Sequence, residues 1–201
     1  MIAVIDYDAG NILSVVKALN KLSQEPVVTR DKEVIMQADK VILPGVGAFA
    51  DAMDKLNQYE LVPVIRDFIK TDKPFLGICL GLQLLFDESE EAKDVMGIGA
   101  LRGKVRKIPV GEYTKIPHMG WNSLSFPKKG RLFEGIEEGS YVYFVHSYYL
   151  EAQNREIVSA TSEYNVKIDA SIEAGNVFAC QFHPEKSGEV GLRILKNFVE
   201  L

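Results

Sequence analysis

Gly77-Ile78-Cys79-Leu80-Gly81 constrains this chain more than any other stretch. The apolar run Pro74-Phe75-Leu76-Gly77-Ile78 stops at a cysteine, and a pattern with helical spacing, residues 80–86, starts in the next residue. A strand that turns straight into a helix forms a nucleophile elbow. Gly77 and Gly81 flank the bend, where side chains would crowd it. The sulfur of Cys79 is then lifted from the backbone and set at a helix N-terminus, where aligned peptide dipoles favour an anion.

A second segment, far downstream, supplies what a cysteine nucleophile needs. Phe182-His183-Pro184-Glu185 follows the apolar run Val177-Phe178-Ala179-Cys180. His183 and Glu185 are separated by one residue, so an extended chain puts both on one face. Glu185 then accepts from one ring nitrogen of His183 and leaves the other for the sulfur, a nucleophile–base–orienter arrangement. Cys180 lies inside an apolar run with no partner signal and reads as core.

Periodicity frames these segments. Strand-like runs at 2–7, 26–29, 41–43 and 75–78 alternate with helical spacing at 12–22, 48–56, 62–70 and beyond 80. Such alternation predicts an α/β fold with an open, mainly parallel sheet flanked by helices. Past residue 100 the period shortens. Residues 105–108, 122–126, 141–149, 157–163 and 177–182 read as strands, antiparallel or mixed with the parallel sheet, and 189–199 as a closing helix. Ligands of open α/β sheets sit beyond the carboxyl ends of the strands, where 44–47, Cys79 and His183 all fall.

Composition narrows the function. A length of 201 residues predicts one domain, spanning 1–201. The net charge of −5, with no basic run of five or more residues, argues against a general nucleic-acid binder. There is no long apolar segment and no basic leader followed by one, which predicts no membrane span and a cytoplasmic location. The three histidines, His118, His146 and His183, share no metal-type spacing with other ligands, so neither a metal nor another cofactor is expected.

Together, the elbow and His-Pro-Glu resemble the class I, triad-type glutamine amidotransferases, over nearly the whole chain. The resemblance implies a flavodoxin-like sheet with added antiparallel strands, and hydrolysis of L-glutamine to glutamate and ammonia. Cys79 is then the nucleophile, His183 the base and acid, and Glu185 its orienter. Pro44-Gly45-Val46-Gly47 is similar to the family's oxyanion strand. An N–H of Val46 or Gly47 joins that of Leu80 as oxyanion donors, and one such donor is worth ~10²–10³ in turnover. Gly45, Gln83, Glu91 and the backbone of His146-Ser147-Tyr148 are the implied substrate contacts.

Pro117-His118-Met119-Gly120-Trp121-Asn122 and Phe144-Val145-His146-Ser147-Tyr148 are narrower signals. They resemble the branch of the family that forms a heterodimer with a cyclase-type (β/α)₈-barrel synthase subunit. Asn11, His118, Met119, Trp121, Asn122 and Lys186 are the implied partner contacts. Asn11 also reads as a plain helix N-cap, and Trp121 as a core aromatic. A glutaminase serving another synthase, a free-standing γ-glutamyl hydrolase and a non-enzymatic interaction module are the rival readings.

Overall fold

The computed structural model describes residues 1–8, 11–112 and 114–201. Apart from α2, the first half alternates as the periodicity predicts: β1 (Ile2–Ile5), α1 (Ile12–Lys21), β2 (Val27–Thr29), α2 (Lys32–Gln37), β3 (Lys40–Gly45), α3 (Phe49–Gln58), α4 (Leu61–Lys70), β4 (Phe75–Cys79) and α5 (Leu80–Leu84). The second half adds β5 (Glu88–Ser89), β6 (Gly103–Lys107), β7 (His118–Ser123), β8 (Tyr141–His146), β9 (Tyr148–Ala152), β10 (Val158–Glu163), β11 (Lys167–Ala174), β12 (Val177–Cys180) and α6 (Gly188–Glu200).

Seven strands form one sheet in the order β10-β11-β12-β4-β3-β1-β2. From β2 to β12 all pairs are parallel, and β11 and β10 extend that edge antiparallel. Side-chain alternation divides the interior into two cores. Odd positions such as Ile5, Val41, Leu43, Phe75 and Ala179 pack under α2, α3, α4 and α5. Even positions such as Val4, Ile42, Leu76, Ile78 and Phe178 pack under α1 and α6. Each fully buried Val, Leu, Ile or Phe side chain among these stabilises the fold by about 1.5–3 kcal/mol, so both faces need covering. β6 and β9 form a smaller sheet with β5, and β7 and β8 form a separate antiparallel ribbon.

Several boundaries differ from the sequence reading. β1 ends at Ile5, so Tyr7 follows it rather than closing it. The expected helix over 80–86 stops at Leu84. The strand expected at 122–126 begins earlier, at His118, and ends at Ser123. Residues 141–149 are two strands, not one. β8 pairs with β7, the chain breaks at Ser147, and β9 pairs with β6; the Ser147 carbonyl accepts from Ile108 N at 2.9 Å.

Three elements escaped the periodicity: the two-residue β5, α2 and β11. α2 is set by its cap: one carboxylate oxygen of Asp31 accepts from Glu33 N at 2.9 Å and Val34 N at 3.0 Å. β11 is buried on both faces although polar residues occupy one of them. Asp169 there accepts from Ala152 N at 2.9 Å and pairs with Arg155, and Ser171 donates to the Ala179 carbonyl at 2.7 Å. Satisfied this way, the buried polar groups lose little on leaving water.

The elbow itself is tight. Cys79 has φ 54° and ψ −107°, a conformation that costs a non-glycine residue about 1–3 kcal/mol. It persists because the flanking chain leaves no slack. A Cβ on Gly77 would lie 2.7 Å from the Gly81 carbonyl oxygen, and one on Gly81 would collide with the Leu43 carbonyl oxygen. Gly81→Ala is therefore expected to lower stability by about 1–3 kcal/mol or more, read as the urea unfolding midpoint. An unchanged midpoint would contradict the close approach of α5 to β3.

Candidate active site

Three strand ends meet at one point. Gly45, the last residue of β3, is in register with Cys79 of β4, and Cys180 of β12 with Ile78. The chain leaving β12 therefore passes Cys79 within two or three residues, and His183 arrives there. A cavity of about 310 Å³ opens at this junction; Val46, Gly47, Cys79, Gln83 and His183 line it together with Glu91 and residues 145–148.

His183 is clamped. Its N–H donates to the Tyr143 carbonyl at 2.9 Å, and its carbonyl accepts from Ser187 Oγ at 2.6 Å. Ser187 Oγ in turn accepts from Tyr143 N at 2.9 Å. The ring Nδ1 lies 2.8 Å from Glu185 Oε1, and both side chains are almost wholly buried. The pairing matches the sequence reading, but its geometry differs. Pro184–Lys186 is a 3₁₀ turn, so the turn rather than an extended strand brings Glu185 back under the ring.

Ring Nε2 of His183 is buried and lacks a well-aligned hydrogen bond. Burial disfavours the imidazolium, but the electrostatic influence of Cys79 and Glu185 outweighs it and pushes His183 up to about 9. The ring therefore holds its proton at neutral pH, next to the sulfur. Cys180, also a free thiol, is fully buried, and burial pushes its thiol well up. It stays an inert core residue.

Gln83 is buried on the cavity wall and its orientation is fixed. Nε2 donates to the Tyr148 carbonyl at 3.0 Å and to Gln181 Oε1 at 2.9 Å. Both amide hydrogens are thus engaged, and Oε1 remains for a ligand.

The Tyr148 carbonyl also orders a pair of histidines. His146 Nδ1 lies 2.8 Å from it, and a carbonyl only accepts, so that nitrogen carries the proton. His146 Nε2 then accepts from His118 Nδ1 at 3.0 Å, and His118 Nε2 faces Asn122 Nδ2 at 3.4 Å. Every proton in the chain Asn122–His118–His146–Tyr148 has one consistent place. Burial pushes His118 down to about 4. Burial, with the charges of His118 and His183, takes His146 down to about 3 against the opposing Tyr148 bond. Both rings are neutral at pH 7.

The other expected residues divide. Leu80 is the first residue of α5, where helix N–H groups have no intrahelical partner, and it lines the cavity. Gly47 has φ +101° with open space around an added Cβ, so conformation rather than crowding calls for glycine there. Glu91 lines the cavity, and one of its oxygens accepts from Phe49 N at 3.0 Å, serving α3 in place of a capping side chain. His146, Ser147 and Tyr148 line the cavity.

The ribbon sorts the expected partner contacts by pleat. Met119 and Trp121 point outward, 63% and 54% exposed, whereas His118 is 3% exposed, stacked on Phe144 and Tyr164. His118 thus cannot touch a partner directly; its position in the alternation aims it inward. Asn122 is half-buried and Lys186 exposed. Asn11 stands at the start of α1 but caps no N–H with its side chain, accepting instead from Ser14 Oγ at 2.8 Å. Gly10, beside it, lies outside the described residues.

The family described as glutamine amidotransferase class-I matches residues 3–201. The chain belongs to that family. This amidotransferase is 54% identical over 200 residues to the imidazole glycerol phosphate synthase subunit HisH of Moorella thermoacetica, covering 100% of this chain and 94% of the relative. It is 52% identical over 198 residues to the same-named protein of Bacillus cereus, covering 98% and 93%. Among solved structures it is similar to a glutamine amidotransferase (TM-score 0.77, 19% identity, 98% and 97% covered). It also matches PurLQS from Thermotoga maritima (TM-score 0.75, 21% identity, 99% and 97% covered). These solved structures support the fold.

Three site residues of the amidotransferase carried a sequence signal that went unread. Gln181 is two before His183, so a pleated chain aims both the same way. Ser187 follows the His-Pro-Glu turn. Tyr7, beyond β1, donates to the Pro44 carbonyl at 2.9 Å beneath the 44–47 strand. Burial, then the charge of Cys79, pushes the Tyr7 phenol well up, so it stays a donor.

The histidine pair fixes a pH dependence. An unfolded histidine titrates near ~6.5, above both folded values, so the unfolded chain binds more protons in between. The pair's contribution to stability is complete above about 6.5 and is lost as pH falls towards 4 and then 3. Imidazole ¹⁵N spectra are expected to give neutral Nδ1–H tautomers for both rings at pH 5.5. Titration of either ring near 6.5 would contradict the buried chain.

Proposed function

We propose that this chain is the glutaminase subunit of imidazole glycerol phosphate synthase. It hydrolyses L-glutamine and passes ammonia to a cyclase-type (β/α)₈-barrel subunit, where PRFAR becomes imidazole glycerol phosphate and AICAR. The observation that carries the chemistry is His183 Nδ1 at 2.8 Å from Glu185 Oε1, with a proton-holding ring beside the sulfur of Cys79. Relatives of that name, similar over the full chain at 52–54% identity, support the choice of synthase. The family match over 3–201 supports reading the chain as one glutamine amidotransferase domain.

Each step has a residue. The Cys79 thiolate attacks the side-chain carboxamide carbon of glutamine, and the carbonyl oxygen takes the electron pair. N–H groups of Leu80 and of Val46 or Gly47 hold that oxyanion. The intermediate collapses to a γ-glutamyl thioester as His183 gives its proton to the departing nitrogen, which leaves as ammonia. Water then attacks the thioester, His183 takes its proton, and glutamate leaves with the thiolate restored. Gly45, Gln83 and Glu91, with the backbone of residues 146–148, orient the amino acid; Glu91 meets its ammonium group.

Met119, Trp121, Asn122, Lys186 and Asn11 meet the barrel, and His118 acts behind them. Gly47, free to reorient, lets the 44–47 strand rest with its donor turned away until partner and synthase ligand favour the active state. Among the described residues no helix is long and apolar enough to cross a membrane, which agrees with a cytoplasmic enzyme. Cys79→Ala, assembled with the barrel subunit, is expected to lose glutamine-dependent synthesis by at least ~10³-fold and keep ammonia-dependent synthesis. Equal loss of both would count against ammonia transfer.

A further inference from the structure

The mechanism leaves Gln181 unused. Its side chain is fully buried between the two groups the reaction depends on. Oε1 accepts from Gln83 Nε2 at 2.9 Å, and Nε2 lies 3.7 Å from Cys79 Sγ, within reach of a hydrogen bond to sulfur.

An amide is normally ambiguous about which end is nitrogen. Here the Tyr148 carbonyl removes the ambiguity. It only accepts, so the end of Gln83 facing it is the NH₂, which then also presents a hydrogen to Gln181. Gln181 must answer with its oxygen, which turns its own NH₂ towards the sulfur. Donors are therefore ordered from Gln83 through Gln181 to Cys79. The backbone holds the residue in place, since Gln181 N donates to the Ala170 carbonyl at 2.9 Å.

We infer that Gln181 is a positioning residue that donates an N–H to the Cys79 thiolate while bracing the amide of Gln83. A donor fixed on sulfur favours the thiolate over the thiol and holds it in one rotamer. No proton leaves Gln181 during the reaction. The inference rests on Cys79 being the nucleophile.

The test uses the assembled synthase and the variant Gln181→Met, which fills similar volume and lacks the donor; Gln181→Leu replaces it should the Met variant fold poorly. Cys79 alkylation by iodoacetamide is followed against pH by mass spectrometry of the Cys79 peptide, alongside glutaminase turnover. Loss of one charge-assisted hydrogen bond is expected to slow alkylation at pH 7 by about tenfold, with recovery at higher pH, and to lower kcat to a similar extent. Ammonia-dependent synthesis by the barrel is expected to stay at the wild-type rate.

An alkylation profile that does not move would overturn the donor role, whether or not kcat falls; a fall in kcat alone would mean that Gln181 only braces Gln83. The nucleophile reading fails separately, if wild-type enzyme fully alkylated at Cys79 still releases glutamate from glutamine.

Discussion

The site depends on one backbone constraint, a strand that becomes a helix at a single residue. Cys79 adopts φ 54° because α5 must start at once and press against β3, where the Leu43 carbonyl tolerates no side chain on Gly81. From that reversal follow the projection of the sulfur, the free N–H of Leu80 and the proximity of Gly45. Strain of this kind persists only where the surroundings over-determine it. Here the parallel pairings of β3 and β12 on either side of β4 do so, and they also deliver the 44–47 strand and His183 to the same place.

A second organising element is the Tyr148 carbonyl. It accepts from Gln83 and from His146, and so fixes proton order in two directions. One branch runs through Gln181 to the sulfur. The other runs through His146 and His118 to Asn122, on the ribbon that carries the exposed Met119 and Trp121. The exposed face of the ribbon and the cavity at Cys79 are thus joined by neutral hydrogen bonds rather than by ion pairs. Charging either histidine would break one branch, and burial holds both rings neutral to well below pH 6.

What the sequence disclosed is what is local. The elbow, His183 with Glu185, and the alternating first half except for α2 rest on neighbouring residues, so pattern alone located them. Met119 and Trp121 follow from strand alternation once β7 is recognised. The rest depends on long-range register. His118 meets His146 only because β7 and β8 pair with those two residues opposite each other, and no local pattern states that pairing. It also turned an expected partner contact into a buried link. β11 went unread because Asp169 and Ser171 look solvent-facing until Ala152, Arg155 and Ala179 are seen to satisfy them. Glu185 reached His183 by a 3₁₀ turn that the two-residue spacing alone did not specify.

The most direct measurement is glutamate release from glutamine by the purified chain, alone and then with the proposed barrel subunit, with and without that subunit's proposed nucleotide substrate. Slow release by the chain alone, rising by orders of magnitude when partner and ligand are both present, is the expected result for a glutaminase whose 44–47 strand is switched across an interface. Full turnover by the isolated chain would contradict that coupling and point to a free-standing hydrolase built on the same elbow.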